Sequence, residues 1–316
     1  MKILVTGSIA YDLLLTYDGS FSDAIDPAHL DELSMAFVTP RFAKHHGGTA
    51  ANIAWNLRFL NQMPLVVGTV GHDGGPYLSL LEERGIPVQR IETLREHATS
   101  TAIIGTDSRE RQITFYHPGA DAAGQWPEEL DEDREDIAFA VVGPRDAKMM
   151  INAVDWCQKF RIPFLFDPGQ QVMAFGEDDL LKAIRASRGV IANAYEWQLL
   201  SQRTGFSANA ILKETHMLII TQAEDGLTIY SPKEEIVIPA CRPDRVVNPT
   251  GAGDALRAGF LTGLAAGWDL RQCGQLGASM ASFVVEQEGT LIGNLDAQDV
   301  FSRAQLTYGD VLPALS

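Results

Sequence analysis

The sequence predicts an α/β protein in which helices cover both faces of a central, mostly parallel β-sheet. From Ile137 onward, short apolar runs alternate with helical patterns, a rhythm typical of parallel strands joined by crossover helices. The expected strands lie near 138–142, 162–166, 188–192 and 217–221, and the helices between them near 146–159, 177–186 and 194–203. A hairpin (226–230 and 235–238) and three helices (252–267, 270–287 and 296–305) are expected to follow.

The N-terminal part is expected to supply further strands and a second, smaller β element. Its predicted elements are a strand at 2–9, a helix opening at Gly47-Gly48-Thr49, a strand from Leu65 to Val70, a helix near 75–84, and strands at 98–106 and 111–116. We therefore predict a single domain spanning residues 1–316, with a discontinuous β lid at about 11–46 and 98–120. Strand pairs inserted beside an active site suit a closing lid.

The composition argues against several classes of partner. A net charge of −16 disfavours nucleic acid, because phosphate backbones attract basic surfaces. No apolar run approaches the roughly 18 residues of a membrane helix, so no membrane partner is expected. The three cysteines are odd in number and far apart, which favours a reduced compartment and a cytoplasmic location.

The segment Asn248-Pro-Thr-Gly-Ala-Gly-Asp254 carries the strongest chemical signal. Residues 245–247 (Arg-Val-Val) before it are expected to be a strand, and a helix is expected directly after it. Glycines at 251 and 253 let a ligand approach the backbone, and free N–H groups at a helix start attract anions. A carboxylate beside a phosphate would repel it. Asp254 at this position makes sense if it accepts a proton from an attacking hydroxyl. From the residues alone, Asp254 as a helix cap remains an equal alternative. The Walker pattern is absent, so no P-loop is predicted.

This segment resembles the C-terminal signature of the ribokinase-like (PfkB) carbohydrate and nucleoside kinases, whose usual form is Asp-Thr-x-Gly-Ala-Gly-Asp. Four other blocks resemble the family's motifs and occur in the family's order. They are Ser8-Ile-Ala-Tyr-Asp12, Gly47-Gly48-Thr-Ala-Ala-Asn52, Asn193-Ala-Tyr-Glu196 and Thr221–Gly226. The resemblance covers nearly the whole chain and implies a ribokinase-like fold.

The resemblance also implies a catalytic or binding role for each motif residue. Asp254 would be the general base, and backbone N–H groups of Gly251, Ala252 and Gly253 would neutralise charge on the transferring phosphoryl group. Asp12, Gly47, Gly48 and Asn52 would hold the sugar. Asn193, Thr221, Gly226 and Thr250 would bind the nucleotide, and Glu196 would hold Mg²⁺ through water. Asn193 and Glu196 also fit a capping box, and both roles are compatible.

Some polar residues and two departures from the family pattern leave alternatives open. Gln112, His117 and Gln170 could touch substrate or be ordinary surface residues, and Arg257 could bind phosphate or form a structural ion pair. Asn248-Pro249 replaces the usual Asp-Thr, which puts activation by a monovalent cation in doubt. Ala223 replaces a glycine common in the Thr221–Gly226 turn.

Within the family, four segments favour the bacterial adenosine and nucleoside kinases. They are Gln112–Ala120, Phe166–Gln171, the Gly-Asp-Ala-Leu-Arg that ends at Arg257, and Val285–Thr290, which resembles the end of their C-terminal helix. The expected reaction is phosphorylation of a nucleoside 5′-hydroxyl by MgATP, with adenosine giving AMP and ADP as first choice. The alternatives are a ribose- or fructose-type sugar kinase and a nucleoside-binding protein without catalysis. Exposed lid edges allow a homodimer, and a monomer is equally compatible.

Overall fold

The computed structural model describes residues 1–25 and 34–315. Residues 26–33 of the predicted lid range lie outside the described residues. The strands are β1 Lys2–Thr6, β2 Ala10–Thr16, β3 Arg41–Gly47, β4 Met63–Gly71, β5 Ile91–Leu94, β6 Ser100–Thr106, β7 Gln112–His117, β8 Ile137–Val142, β9 Phe164–Phe166, β10 Gly189–Asn193, β11 Leu218–Thr221, β12 Leu227–Tyr230 and β13 Glu235–Ile238. The α-helices are α1 Phe21–Ala24, α2 Thr49–Phe59, α3 Gly75–Glu83, α4 Ala147–Phe160, α5 Glu177–Ala186, α6 Ala194–Thr204, α7 Ala208–Ile211, α8 Ala252–Ala265, α9 Leu270–Val284 and α10 Ala297–Tyr308.

Nine strands form the main sheet, in the order β13-β12-β11-β10-β9-β8-β1-β4-β5. The pairs from β11 to β5 are parallel, and the β11–β12–β13 end is antiparallel. The predicted mostly parallel sheet is therefore confirmed. Because side chains alternate along a strand, Ile3 and Val5 of β1 pack against α2, α3 and α8–α10, whereas Leu4 packs against α4–α7. Both faces are thus buried under helices, as the continuous apolar strands predicted.

A separate four-stranded sheet has the order β3-β2-β6-β7. Its central pair, β2 and β6, is parallel, and the two outer pairs are antiparallel. The strands come from two distant pieces of chain, within the ranges predicted for the lid. We call this element the small sheet.

The structure differs from the sequence predictions at two predicted strands and at one strand that was not predicted. The strand predicted at 2–9 ends at Thr6, because the chain leaves the main sheet at Gly7-Ser8 and enters the small sheet at Ala10. Residues 245–247 are not a strand; Val246 is exposed, and Val247 N–H donates to Val285 O at 2.7 Å instead of to a ladder. The short edge strand β5 was not predicted, since four residues carry little periodic signal.

Parallel topology sets the position of the site. The carboxyl ends of β1, β8, β9, β10 and β11 meet at one edge of the main sheet, where ligands of open α/β sheets bind. The small sheet and the first turn of α8 stand at that edge as well. Within the described part of the chain, no helix is long and apolar enough to cross a membrane.

A buried ion pair lies where the chain leaves the small sheet and returns to the main sheet. Asp121 follows β7 and Arg145 follows β8, and their Oδ1 and Nη2 atoms are 2.6 Å apart. Each residue is 2% exposed. Arg145 also donates to Val67 O and Thr69 Oγ1, and Asp121 Oδ2 accepts from Asp146 N–H at 2.9 Å. This pair therefore ties β7, β4 and β8 together.

We predict that Arg145→Met lowers the free energy of unfolding by about 3–5 kcal/mol, because it leaves Asp121 buried without its cation. The matched control is Lys159→Met, which breaks the exposed pair with Asp131 (3.0 Å) and should cost less than about 1 kcal/mol. Urea denaturation of both variants measures the difference. Equal losses in the two variants would contradict the assignment.

Candidate active site

A cleft of about 550 Å³ runs along the carboxyl ends of the central strands, over the start of α8. One end is polar and is lined by residues that include Asp167, Asn193, Glu196, Gly253, Asp254 and Arg257. The other end is mainly apolar and reaches α9. The cleft therefore joins seven of the predicted site residues: Asn193, Glu196, Thr221, Gly226, Ala252, Gly253 and Asp254.

The first turn of α8 is built for an anion. Gly251 is its N-cap, with φ +85°, and Gly253 follows within the turn. Ala252 N–H donates to Pro249 O at 3.2 Å, whereas no described residue accepts from the N–H groups of Gly251, Gly253 or Asp254. Free N–H groups and the helix dipole give this turn a positive potential.

Asp254 lies in the same turn with its carboxylate half-buried at the polar end of the cleft. Burial raises its pKa to about 6, while the Arg257 charge and a hydrogen bond from Asn52 oppose the rise. The Asn52 Nδ2 atom is 2.8 Å from Asp254 Oδ2. A carboxyl with a pKa near 6 is ionised at neutral pH and basic enough to accept a proton.

Asn52 is more tightly held than the sequence suggested. It sits on α2, one turn after Gly48, and is 4% exposed. Its Oδ1 accepts from Thr290 Oγ1 at 2.8 Å while its Nδ2 donates to Asp254. The predicted sugar contact is untested, and only one N–H and one lone pair of this amide remain for a substrate.

Asp12 on β2 faces the same space as Asp254. Its carboxylate lies against Gly47, where a Cβ atom would displace it, so glycine at this position lets Asp12 keep its orientation. Gly48 has φ +92°, and a Cβ on it would come within 2.6 Å of Ser8 O. Burial raises the pKa of Asp12 to about 6, and the nearby His45 lowers it. Gly47 and Gly48 thus bring β2, β3 and α2 together around Asp12.

Arg257 resolves an alternative that the sequence left open. It forms a two-pronged ion pair with Asp167, at the end of β9, with Nη2–Oδ1 at 3.0 Å. Its Nη1 donates to Gly253 O at 3.0 Å. Burial opposes its charge, yet Asp167 raises the pKa of Arg257 above its ordinary value. The residue is part of an ion pair and also lines the cleft.

Asn193 and Glu196 form the capping box that the spacing allowed. Asn193 Oδ1 accepts from Glu196 N–H, and Glu196 Oε2 accepts from Asn193 N–H, both at 2.8 Å. Burial and the neighbouring Asp167 raise the pKa of Glu196. Its Oε1 atom remains for a water or a cation at the cleft wall.

Metal binding by protein side chains alone is not supported. In residues 1–25 and 34–315, no group of three or more His, Cys, Asp and Glu residues could hold a metal. Mg²⁺ usually takes only one or two protein carboxylates and completes its shell with water and substrate phosphates. A single Glu196 oxygen at the cleft fits that mode.

The turn from Thr221 to Gly226 forms another wall of the cleft. Gln222 N–H donates to Gly226 O at 2.8 Å, which closes the turn. Ala223 has φ +50°, the left-handed conformation that glycine adopts without strain. A glycine, which the family pattern has at this position, would adopt this conformation without strain, and this chain adopts it with alanine.

The apolar end of the cleft was missed by the sequence reasoning. Its walls come from the loop before residue 248 and from one face of α9: Ala240, Cys241, Pro243, Val246, Ala278, Ala281, Ser282 and Val285. These small and apolar side chains look like ordinary core residues in the sequence. Only the helical spacing of 278, 281, 282 and 285 points to a shared face.

Four other predicted residues lie apart from the cleft. Gln112 on β7 pairs with Thr106 on β6, which in turn pairs with Thr16 on β2. Thr16 is four residues, or about 13 Å, along β2 from Asp12. His117 is exposed at the end of β7, and Gln170 is exposed beside Gly169. Thr250 is exposed, and its N–H donates to Asn248 Oδ1 at 2.9 Å. None of the four lines the cleft, although Thr250 lies only four positions before Asp254.

Comparisons with known proteins agree with this geometry. The pfkB family carbohydrate kinase model matches residues 2–297. A nucleoside kinase of Methanocaldococcus jannaschii is 31% identical over 260 residues, which are 82% of this chain and 85% of that protein. An ATP-dependent 6-phosphofructokinase of Thermoanaerobacterium thermosaccharolyticum is 25% identical over 312 residues, 94% of each chain.

Among solved structures, Burkholderia thailandensis nucleoside kinase in complex with inosine superposes with a TM-score of 0.87 and 32% identity, covering 97% of this chain and 98% of that one. The same protein has been solved in complex with ADP-inosine, with a TM-score of 0.84 over 98% of this chain and 97% of that one. The fold, the order of the motifs and the family match lead to one assignment. The chain belongs to the pfkB family of carbohydrate kinases and has the ribokinase-like fold.

Proposed function

We propose that this protein is a nucleoside kinase that transfers the γ-phosphoryl group of ATP to a nucleoside 5′-hydroxyl, with adenosine as the first-choice acceptor. AMP and ADP are then the products. The nucleoside kinases of M. jannaschii and B. thailandensis support a nucleoside acceptor. The observation that carries the proposal is an apolar strip beside Asp12.

The strip lies on the face of the small sheet that also bears Asp12. Paired residues in neighbouring strands point to the same face, and the pairing joins Asp12 to Ala102 and then to Tyr116. Two residues further along, Leu14 pairs with Ala43 and Ile104 on that face. A flat purine can pack on such apolar side chains while Asp12 accepts hydrogen bonds from ribose hydroxyls. A free sugar has no group that needs this strip.

The chemistry follows from Asp254 and the first turn of α8. Asp254 accepts the proton of the 5′-hydroxyl as that oxygen forms its bond to the γ-phosphorus and the bond to the ADP oxygen breaks. The N–H groups of Gly251 and Gly253 point toward the charge that develops on the phosphoryl oxygens. Gly47, Gly48 and Asn52, which lie beside the cleft with Asp12, would hold the ribose.

The donor nucleotide fits the remaining length of the cleft. Its phosphates would lie along the start of α8, near Asn193 and the Thr221–Gly226 turn, and its base at the apolar end. Mg²⁺ bound to these phosphates would neutralise their charge, and Glu196 would hold one of its waters. Movement of the small sheet over the acceptor would exclude water, which otherwise competes as the phosphoryl acceptor.

We predict that Asp254→Asn lowers kcat by about 10²–10⁴-fold, the scale of general-base loss, with little change in fold. The pKa of Asp254 is raised on folding, so its ionisation above about pH 6 opposes folding, and the amide does not ionise. The variant should therefore be no less stable than the parent at pH 8. Coupled measurement of ADP release and thermal unfolding test both statements. Near-normal turnover in a folded variant would refute the base assignment.

We predict that kcat/KM for the nucleoside falls as the pH decreases through about 6. Asp254 and Asp12 both have pKa values raised to about 6, and both must be ionised to accept hydrogen bonds or protons. Steady-state rates between pH 5 and 9, with MgATP saturating, measure this limb. A rate that stays level down to pH 5 would contradict the role of both carboxylates.

A panel of acceptors separates the candidate functions. With ATP and Mg²⁺, we expect adenosine to give the highest kcat/KM, inosine to be accepted because the apolar strip offers no charged discrimination, and ribose and fructose to be poor. Saturation by ribose or fructose and not by nucleosides would favour the sugar kinase alternative, which the resemblance to a 6-phosphofructokinase keeps open. Calorimetric nucleoside binding without ADP formation would favour a binding protein.

A further inference from the structure

Thr290 is buried at the point where three parts of the chain meet. It follows α9 and is 2% exposed. Its Oγ1 lies 2.8 Å from Asn52 Oδ1 on α2 and 2.9 Å from His46 O on β3. A Cβ on Gly251, the N-cap of α8, would come within 3.0 Å of the Thr290 Cβ, so this glycine lets the loop lie on Thr290.

The Asn52 amide connects Thr290 to Asp254. An amide has an accepting end and a donating end, and the two can exchange by rotation of the side chain. The single hydroxyl proton of Thr290 can go to Asn52 Oδ1 or to His46 O; when it goes to Oδ1, it reinforces the amide orientation in which Nδ2 faces Asp254 Oδ2 at 2.8 Å. In the opposite orientation two acceptor oxygens, Asn52 Oδ1 and Asp254 Oδ2, would face each other.

We propose that Thr290 is a positioning residue for the general base: its hydroxyl fixes the Asn52 amide so that Nδ2 occupies Asp254 Oδ2 and leaves Oδ1 to accept the substrate's proton. The inference rests on the proposed function in that Asp254 is taken as the base. Thr290 itself does not touch the reacting atoms.

The hydrogen bond from Asn52 favours the ionised form of Asp254, against the effect of burial. Removing the hydroxyl of Thr290 leaves Asn52 Oδ1 without this donor, so the amide is held at one end only and its hydrogen bond to the charged carboxylate weakens. A hydrogen bond to a charged group changes a pKa by about one unit or somewhat more. The expected signature is therefore a rise in the pKa of Asp254, at a distance of two hydrogen bonds from the substitution.

The test compares Thr290→Val with Thr290→Ser. The pKa of Asp254 is read by ¹³C NMR on protein labelled at the aspartate carboxyl carbons, with the Asp254 signal assigned by its loss in D254N. We expect a rise of about one unit in T290V and a value within about 0.3 unit of the parent in T290S. A one-unit rise from about 6 also lowers kcat/KM about fivefold at pH 6 and less than twofold at pH 8.

The matched control is Thr262→Val, which removes another buried threonine hydroxyl, bonded to Ala258 O within α8 at 2.8 Å. It should leave the pKa of Asp254 unchanged. Should T290V fail to fold, Thr290→Ala removes the same hydroxyl with less crowding and serves in its place. An unchanged pKa in the folded Thr290 variant, or an equal rise in T262V, would overturn the proposal. The NMR measurement does not require turnover, so it tests the role of Thr290 even if the nucleoside assay fails.

Discussion

Arg257 holds together the acidic end of the cleft. Its guanidinium forms an ion pair with Asp167 at the end of β9 and donates to the backbone of Gly253. It also lies close enough to Asp254 to oppose the rise in that residue's pKa. Among the described residues that line the cleft, it is the only cation, beside Asp167, Glu196, Glu224 and Asp254. Burial raises the pKa of Asp254 and of Glu196, and the Arg257 charge opposes both rises. The position of α8 against β9, set by the main sheet, supplies that charge.

An acidic cleft repels a polyphosphate, and the structure shows how this repulsion is reduced. The Arg257 charge is neutralised by its ion pair with Asp167. The attraction for phosphate therefore comes from backbone N–H groups at the start of α8 and from the helix dipole. Glu196 has one oxygen committed to the capping box and one directed to the cleft. Such a site favours a phosphate that arrives with its own cation over a bare one. The net charge of −16 is compatible with ATP binding for the same reason.

The sequence predicted those features that depend on local spacing. The parallel sheet followed from apolar runs at regular intervals, and the kinase centre from five motifs in order, because each motif places a turn or a helix start at a strand end. Contacts between distant segments were not predictable in this way. Thr290 contacts Asn52, which in turn contacts Asp254, only in the folded protein, and the sequence contains no pattern that assigns a role to a single buried threonine. The small residues of α9 resemble core residues until the cleft beside them is seen. Gln112 was placed near the substrate by resemblance alone, and strand register puts it about 13 Å along the strand direction and two strands away from Asp12.

The pairing within the small sheet has a consequence for how the protein folds. Its central parallel pair joins Ala10 to Ser100, so about 90 residues of chain, including β4 and α3, must be organised before β2 and β6 can meet. Closing so long a loop costs chain entropy that only the finished main sheet can offset. The surface that carries Asp12 should therefore form late and open early. Native-state hydrogen exchange would find its amides among the least protected strand amides, even though the strands themselves are regular.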